Sequence, residues 1–399
     1  MKHKLPMLAV AVCLQTVFLF SSCQSSTAKE AGVKNVLKET SDPTQESRDG
    51  VGEECSTSSP RSVTLAFTGD ILMGTNFPDS SYVTRDRGRS LFVDCADILC
   101  GADLAIGNLE GACYYGTAGE VKKKMTATSR CFVFRMPGDH ARRLAEAGFD
   151  AMGVANNHAG DFGPTGRRLT VENLRSVGVQ VSGQKGLAEE VVMERHGVRY
   201  GYLAFAASCG NTLDVNDPVS RDSLIRRLRP QCDILVVSFH GGAEGTSACH
   251  VPRKKEIFLG ENRGDVYRFA HECIDGGADI VVGHGPHVPR AMELYKGHLI
   301  AYSLGNFCAP FRMSTAGATG LAPLLQVQLD ASTGHFQKGH IYSFRQVKGV
   351  GPRRDDTHAA AKNISTLTQQ DFPQSGLVIS EEGKVRVKVG SINSHRQKG

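Results

Sequence analysis

Residues 276–287 read Gly276-Gly277-Ala278-Asp279-Ile280-Val281-Val282-Gly283-His284-Gly285-Pro286-His287. The glycine pair predicts a helix stop, because glycine tolerates the left-handed backbone that such a stop needs. The aliphatic run after it is too short for a helix and rich in β-branched residues, which predicts a buried strand. A turn at Gly283 then presents two imidazoles three residues apart, with Pro286 stiffening it. The same order recurs along the chain. Residues 63–70 form an apolar run that ends at Asp70, and residues 100–110 one that ends at Asn108 and Glu110. Residues 147–158 end at Asn156, Asn157 and His158, and residues 232–244 at His240 and Glu244. Apolar strands alternating with helical stretches define an α/β fold, whose ligands bind outside the carboxyl ends of the strands. Polar turns are needed by any such fold, but five that all carry Asp, Glu, Asn or His share one chemistry, that of metal ligation.

The chain has 399 residues, 40% hydrophobic and 22% charged, which is the composition of a globular protein. The net charge of +5 includes Lys2 and Lys4, and no basic stripe with interleaved aromatics occurs, so nucleic acid is not expected as a partner. Residues 1–22 have a basic start, a mostly apolar Leu5–Phe20 run too short for a typical membrane span, and small residues before Cys23. This resembles a bacterial lipoprotein signal with Cys23 as the lipidated residue, and predicts an exported protein anchored to the membrane. Residues 23–60 are polar and are read as a tether; the folded domain is placed at 61–350, with 351–399 an extension that either joins it or forms a loose tail. Twelve cysteines are present. Export permits disulfides, and Cys113 with Cys131 brackets one loop; Cys95, Cys232 and Cys273 lie in apolar contexts that favour buried thiols. No Cys-x-x-Cys spacing occurs, which argues against a cysteine zinc site.

Further elements are expected in order. A helix is read over 86–99, and another from Asp139 as its cap to Gly148. Others follow over 166–177, 222–228 and 265–274. A hairpin should turn at Lys296-Gly297, antiparallel strands should occupy 322–346, and a helix is plausible over 357–368. Lys122, Lys123 and Lys124 stand beside the second strand-end loop, where such a run either contacts an anionic substrate or, as is its more ordinary role, forms a solvated surface.

The candidate metal ligands are Asp70, Glu110, Asn157, His240, His284 and His287. Mixed carboxylate, amide and imidazole donors suit one or two divalent ions such as zinc, manganese or iron. Paired ions activate a water at neutral pH. His158, beside Asn157, is then placed to protonate a leaving group. No Gly-x-Ser-x-Gly elbow and no Walker loop is present. His140, His196, His250, His271 and His298 have no strand-end context and are set aside.

Taken together, Thr68-Gly69-Asp70, Gly107-Asn108-Leu109-Glu110-Gly111, Asn156-Asn157-His158 with Asp161 and Gly163, His240-Gly241-Gly242 with Glu244, Gly283-His284-Gly285-Pro286-His287 and Tyr302-Ser303-Leu304-Gly305-Asn306-Phe307 closely resemble the CapA family of bacterial capsule and poly-gamma-glutamate biosynthesis proteins. The resemblance runs from about residue 63 to 310. It implies a four-layer α/β/β/α metallophosphatase-like sandwich of two mixed sheets flanked by helices, of the calcineurin-like superfamily. It also implies metal positions at the six ligands above, catalytic roles for His158 and Glu244, and supporting roles for Asn108, Asp161 and Asn306. Metallophosphoesterases usually carry a histidine two residues after the first aspartate; Leu72 stands there, which predicts a weakened first metal site. Gly245 follows Glu244 where the family usually has an aromatic residue. The functions implied are hydrolysis of a phosphoester or amide of an envelope polymer, or non-catalytic binding of an anionic polymer for its synthesis, export or anchoring beside capsule-synthesis membrane proteins. A purely structural role fits the retained ligand set least.

Overall fold

The computed structural model describes residues 62–122, 132–207 and 210–388. Cys23, the expected tether, Lys123, Lys124 and Cys131 lie outside the described residues.

In chain order the first strands are β1 (Ser62–Ile71), β2 (Leu104–Leu109), β3 (Ala151–Gly153) and β4 (Gln180–Ser182). They are interleaved with helices α1 (Ala96–Cys100), α2 (Asp139–Glu146) and α3 (Gly163–Ser176). A second group follows: β5 (Glu190–Arg195), β6 (Val198–Ala206), β7 (Ile234–His240), β8 (Ile280–His284), β9 (Met292–Tyr295) and β10 (His298–Ala301), with helices α4 (Pro218–Leu228) and α5 (Val266–Asp275). The chain then returns through β11 (Asn306–Cys308), β12 (Leu321–Asp330), β13 (Phe336–Val347), β14 (Gly351–Arg354), α6 (Ala359–Asp371), β15 (Leu377–Ile379) and β16 (Lys384–Val387).

The first and last groups form a ten-stranded mixed sheet, ordered β15-β16-β13-β12-β1-β2-β3-β4, with β11 on β1 and β14 on β13. The middle group forms a six-stranded sheet, ordered β9-β10-β8-β7-β6-β5. Strand periodicity sorts the side chains into layers. Val63, Leu65 and Phe67 of β1 and Ile234 and Val236 of β7 share one core between the sheets. On the other face of the large sheet, Ala66 and Ala105 pack with Leu144 of α2 and Leu174 of α3. On the outer face of the small sheet, Leu235, Val237 and Phe239 pack with Leu224 of α4 and Phe269 of α5. The architecture is thus helix, sheet, sheet, helix, in the order anticipated.

Several local readings change. Residues 84–95 form successive turns, and helix appears only from Ala96. Thr84 Oγ1 and Asp86 accept from the backbone N–H groups of Gly88 and Ser90, and these local bonds replace a helical ladder. Asp139 makes no capping bond; its carboxylate is held by Arg87 instead. Asp217 and Asp265 do cap α4 and α5, each accepting from a backbone N–H three residues on. β8 extends through Gly283 to His284, and the turn falls at Gly285, with φ +112°, rather than at Gly283. Gly283 answers a different need: a Cβ there would lie 2.2 Å from the Tyr302 carbonyl oxygen. Residues 351–388 are built into the large sheet and the inter-sheet core through Ala361, Ile364, Ile379 and Val385. The seven described cysteines are free thiols; the buried Cys113 Sγ reaches the Pro137 carbonyl, which leaves the suggested Cys113–Cys131 pairing without support. No helix among the described residues is long and apolar enough to cross a membrane.

Candidate metal centre

The carboxyl ends of β1, β2, β7 and β8 converge. β1 and β2 run parallel, with a bulge between Phe67 and Asp70 that gives β1 one extra residue. Gly69 sits in it, where a Cβ would meet the Gly305 oxygen at 2.1 Å. The bulge turns Asp70 alongside Asn108 on one flank and Asn306 on the other. From the small sheet, His240 and His284 are register partners at the ends of β7 and β8. His287 follows in the left-handed region, with φ +59°.

Asp70 is the hub. His287 Nδ1 lies 3.0 Å from Asp70 Oδ2 and 3.0 Å from Asn306 Oδ1. His284 Nδ1 lies 3.4 Å from Asp70 Oδ1, and His240 Nδ1 3.9 Å from it. Asn108 Nδ2 donates to Asp70 Oδ1 at 2.8 Å and to Glu110 Oε2 at 3.3 Å. The orientation of that amide is fixed from behind. Asn156 Oδ1 accepts from the His158 N–H, so its Nδ2 donates to Asn108 Oδ1. Asp70, Glu110 and His287 each offer one ligand atom within 4.8 Å of the others.

The electrostatics are those of a site short of positive charge. Burial and then the neighbouring Asp70 carboxylate push Glu110 well above the ordinary carboxyl range. Burial would also raise Asp70, but the imidazoles of His284, His287 and His240 outweigh it and hold Asp70 well below its usual value. Burial opposes protonation of His287, yet the hydrogen bond to Asp70 and the charges of Glu110, Asp70 and Glu244 raise it to about 10. His240 is held well below its ordinary value by burial, against the pull of Asp70. Glu110 Oε1, Asn157 Oδ1 and His240 Nε2 are buried without a hydrogen-bond partner, and His284 Nδ1 has only its long 3.4 Å approach to Asp70. Such atoms are costly unless something satisfies them. Two buried carboxylates with ligand atoms within 4.8 Å of each other and several unsatisfied donor atoms of hard or borderline type fit a divalent cation. Asp70, Glu110 and His287 are the residues whose atoms lie close enough together to hold it, with His240 and His284 beside Asp70; Asn157 is placed on the adjoining cavity.

Beside the cluster is a cavity of about 690 Å³ whose lining includes Asn157, His158, Glu244, His287 and Asn306. His158 Nδ1 lies 2.8 Å from Asp161 Oδ2, which also accepts the Phe134 N–H. The His158 ring packs on Phe134, centroids 4.2 Å apart. Glu244 Oε2 is 4.0 Å from His287 Nε2. Asp161 and Asn306 thus lie against His158 and His287, respectively. Leu72 is buried in the core beneath the large sheet and offers nothing to the site. Lys122 does not line the cavity. The sequence reading missed Arg263, Arg312, Phe132 and Phe134, which also line it. They fall in loops with no periodicity and no ligand-type spacing to mark them.

Fold and site define a four-layer α/β/β/α protein with a candidate metal centre where the two sheets meet. Residues 64–310 match the model of the family described as "Bacterial capsule synthesis protein PGA_cap", and the chain belongs to that family. It is 27% identical over 262 residues to the capsule biosynthesis protein CapA of Bacillus anthracis, covering 61% of this chain and 59% of that one. It is 29% identical over 260 residues to the PGA biosynthesis protein CapA of Bacillus subtilis (strain 168), covering 61% and 63%. The chain thus spans about three fifths of the length of these curated relatives. Among solved structures, a novel phosphatase from Mycoplasma pneumoniae aligns at 16% identity with a TM-score of 0.43, over 71% of this chain and 93% of that one.

Proposed function

We propose that this protein is a metal-dependent hydrolase that cleaves a phosphoester or amide of an anionic envelope polymer such as poly-gamma-glutamate. The observation that carries the reading is the buried convergence of Asp70, Glu110, His240, His284 and His287 beside a His158–Asp161 pair on one cavity. Bound divalent metal supplies an activated water and a counter-charge for the attacked centre. Asp161 accepts the Nδ1 proton of His158 and sets the tautomer, so Nε2 is the atom that carries a proton to the leaving group. Phe134 keeps that ring in place. The Asn156–Asn108 bonds orient the amide that spans Asp70 and Glu110. In this reading the chain works at the cell envelope, anchored through Cys23 and alongside capsule-synthesis membrane proteins.

A second reading, binding of the polymer without turnover, draws on the names of the relatives, which are those of biosynthesis proteins. His158→Ala separates the two. For a hydrolase, turnover of phosphoester or glutamyl-amide substrates should fall about 10²- to 10⁴-fold with metal content unchanged. His284→Ala should lower metal content itself, measured by elemental analysis. Polymer affinity that survives both changes, with no turnover in the parent protein, sinks the hydrolase.

A further inference from the structure

Arg263 lies at the end of the loop that follows β7, and its side chain is 3% exposed. Its Nη1 is 2.9 Å from Glu244 Oε1 and 3.9 Å from Glu261 Oε2. Its Nε and Nη2 are buried and have no hydrogen-bond partner. Those two atoms form the side-on edge of the guanidinium, the edge that grips a carboxylate or phosphate with two parallel bonds. The same protein uses it elsewhere. Arg87 holds Asp139 through Nε at 2.7 Å and Nη2 at 3.1 Å, and Arg199 holds Asp233 through Nε at 3.3 Å and Nη2 at 2.8 Å. In Arg263 the corresponding edge is desolvated and unmatched, in a residue that lines the cavity.

A second guanidinium lines the same cavity. Arg312 is half-buried, its Nε is buried without a partner, and no carboxylate among the described residues lies within ion-pair distance. Its guanidinium carbon is 4.6 Å from the Tyr82 ring centroid and 5.1 Å from that of Phe132. Its backbone is left-handed, with φ +70°, an unfavourable conformation for arginine. Aromatic contacts on a strained turn fix the group in place without neutralising it.

We propose that Arg263 and Arg312 form an oxyanion subsite that binds a carboxylate or phosphate of the substrate distinct from the group attacked at the ligand cluster. The subsite selects substrates with two acidic groups, and it rests on the reading of this cavity as the active site. Carboxylate and phosphate share the two-oxygen geometry that the Arg263 edge accepts, so the probes must separate them.

The test is titration calorimetry on the full chain with inorganic phosphate and, separately, with glutarate. Wild type is compared with Arg263→Lys, which keeps the charge but loses the edge, with Arg312→Met and with His284→Ala. Binding of at least one probe should weaken tenfold or more in each arginine variant and persist in His284→Ala. The tighter probe identifies the acid. Equal binding in wild type and both arginine variants overturns the subsite, as does binding lost only in His284→Ala or no binding of either probe at millimolar concentration. If Arg263→Lys does not fold, Arg312→Met, on a surface turn, decides alone. Arginine-dependent binding without turnover keeps the subsite and removes the hydrolase; turnover without arginine-dependent anion binding does the reverse.

Discussion

Glu110 has the strongest need of a counter-charge. It is fully buried, faces Asp70 and is driven toward its protonated form. An acid whose folded value is raised loses stability as pH climbs above its ordinary range, because the unfolded chain gives up the proton first. Glu110→Gln should therefore raise the melting temperature of the metal-stripped protein, with a stability gain on the order of 1 kcal/mol that is larger at pH 8 than at pH 5, while lowering the metal content of protein purified without stripping. A lower midpoint at pH 8 would contradict this. His140 has the opposite sign. Its ring is buried with both nitrogens unpartnered, and burial lowers it to about 4, with Asp139, Arg87, Arg143 and Asp86 as the charges around it. The unfolded chain takes up the proton first on acidification. Stability should be full above about pH 6.5 and fall by roughly 3 kcal/mol between there and pH 4, with no further loss from this group below. His140→Leu should flatten that slope in urea titrations; an unchanged slope refutes the assignment. Neither effect was legible in the sequence. The strand-end ligands were, because their spacing follows from the α/β repeat, whereas burial of a lone histidine depends on what folds over it.

The loop from Gly241 to Gly264 carries Glu244 and Arg263 without regular structure over most of its length, so something must hold its shape. A buried ion pair does. Arg290 is wholly buried, its Nη1 and Nη2 donate to Glu256 at 2.9 and 2.8 Å, and its Nε donates to the Ala248 carbonyl. Glu256 also accepts the Ala243 N–H. Removing one partner strands the other charge. Arg290→Met should cost about 3–5 kcal/mol in chemical denaturation and reduce turnover with no loss of metal, since no ligand sits on this loop. A near-neutral effect would show that the loop is held by other means. The sequence shows no sign of this pair, because Glu256 and Arg290 are distant in the chain and neither has a pattern. Strands were read more faithfully than helices. The apolar runs of β1, β2, β7 and β8 stand out as strands, while residues 86–99 mimic a helix until Asp86 and Thr84 claim the backbone N–H groups.

Across the whole molecule, the two sheets share one core, and the C-terminal elements complete it. Sequence signal fades after Val350 because β15 and β16 are short strands at one edge of the large sheet. Yet α6 places Ile364 between the sheets and Leu367 and Phe372 under the small one. A chain ending at residue 350 should lose its cooperative thermal transition or aggregate, through exposure of Ile341 and Val327; a sharp transition within a few degrees of the parent would show these elements to be dispensable. The candidate centre has a consequence on the same scale. Asp70 lies in one sheet and Glu110 directly follows its strand β2, whereas His240 and His284 end strands of the other. A cation held by all four would act as a rivet through two plates. The sheets could then slide past one another only by shearing metal–ligand bonds, so a centre that serves chemistry would also set the stiffness of the body that carries it.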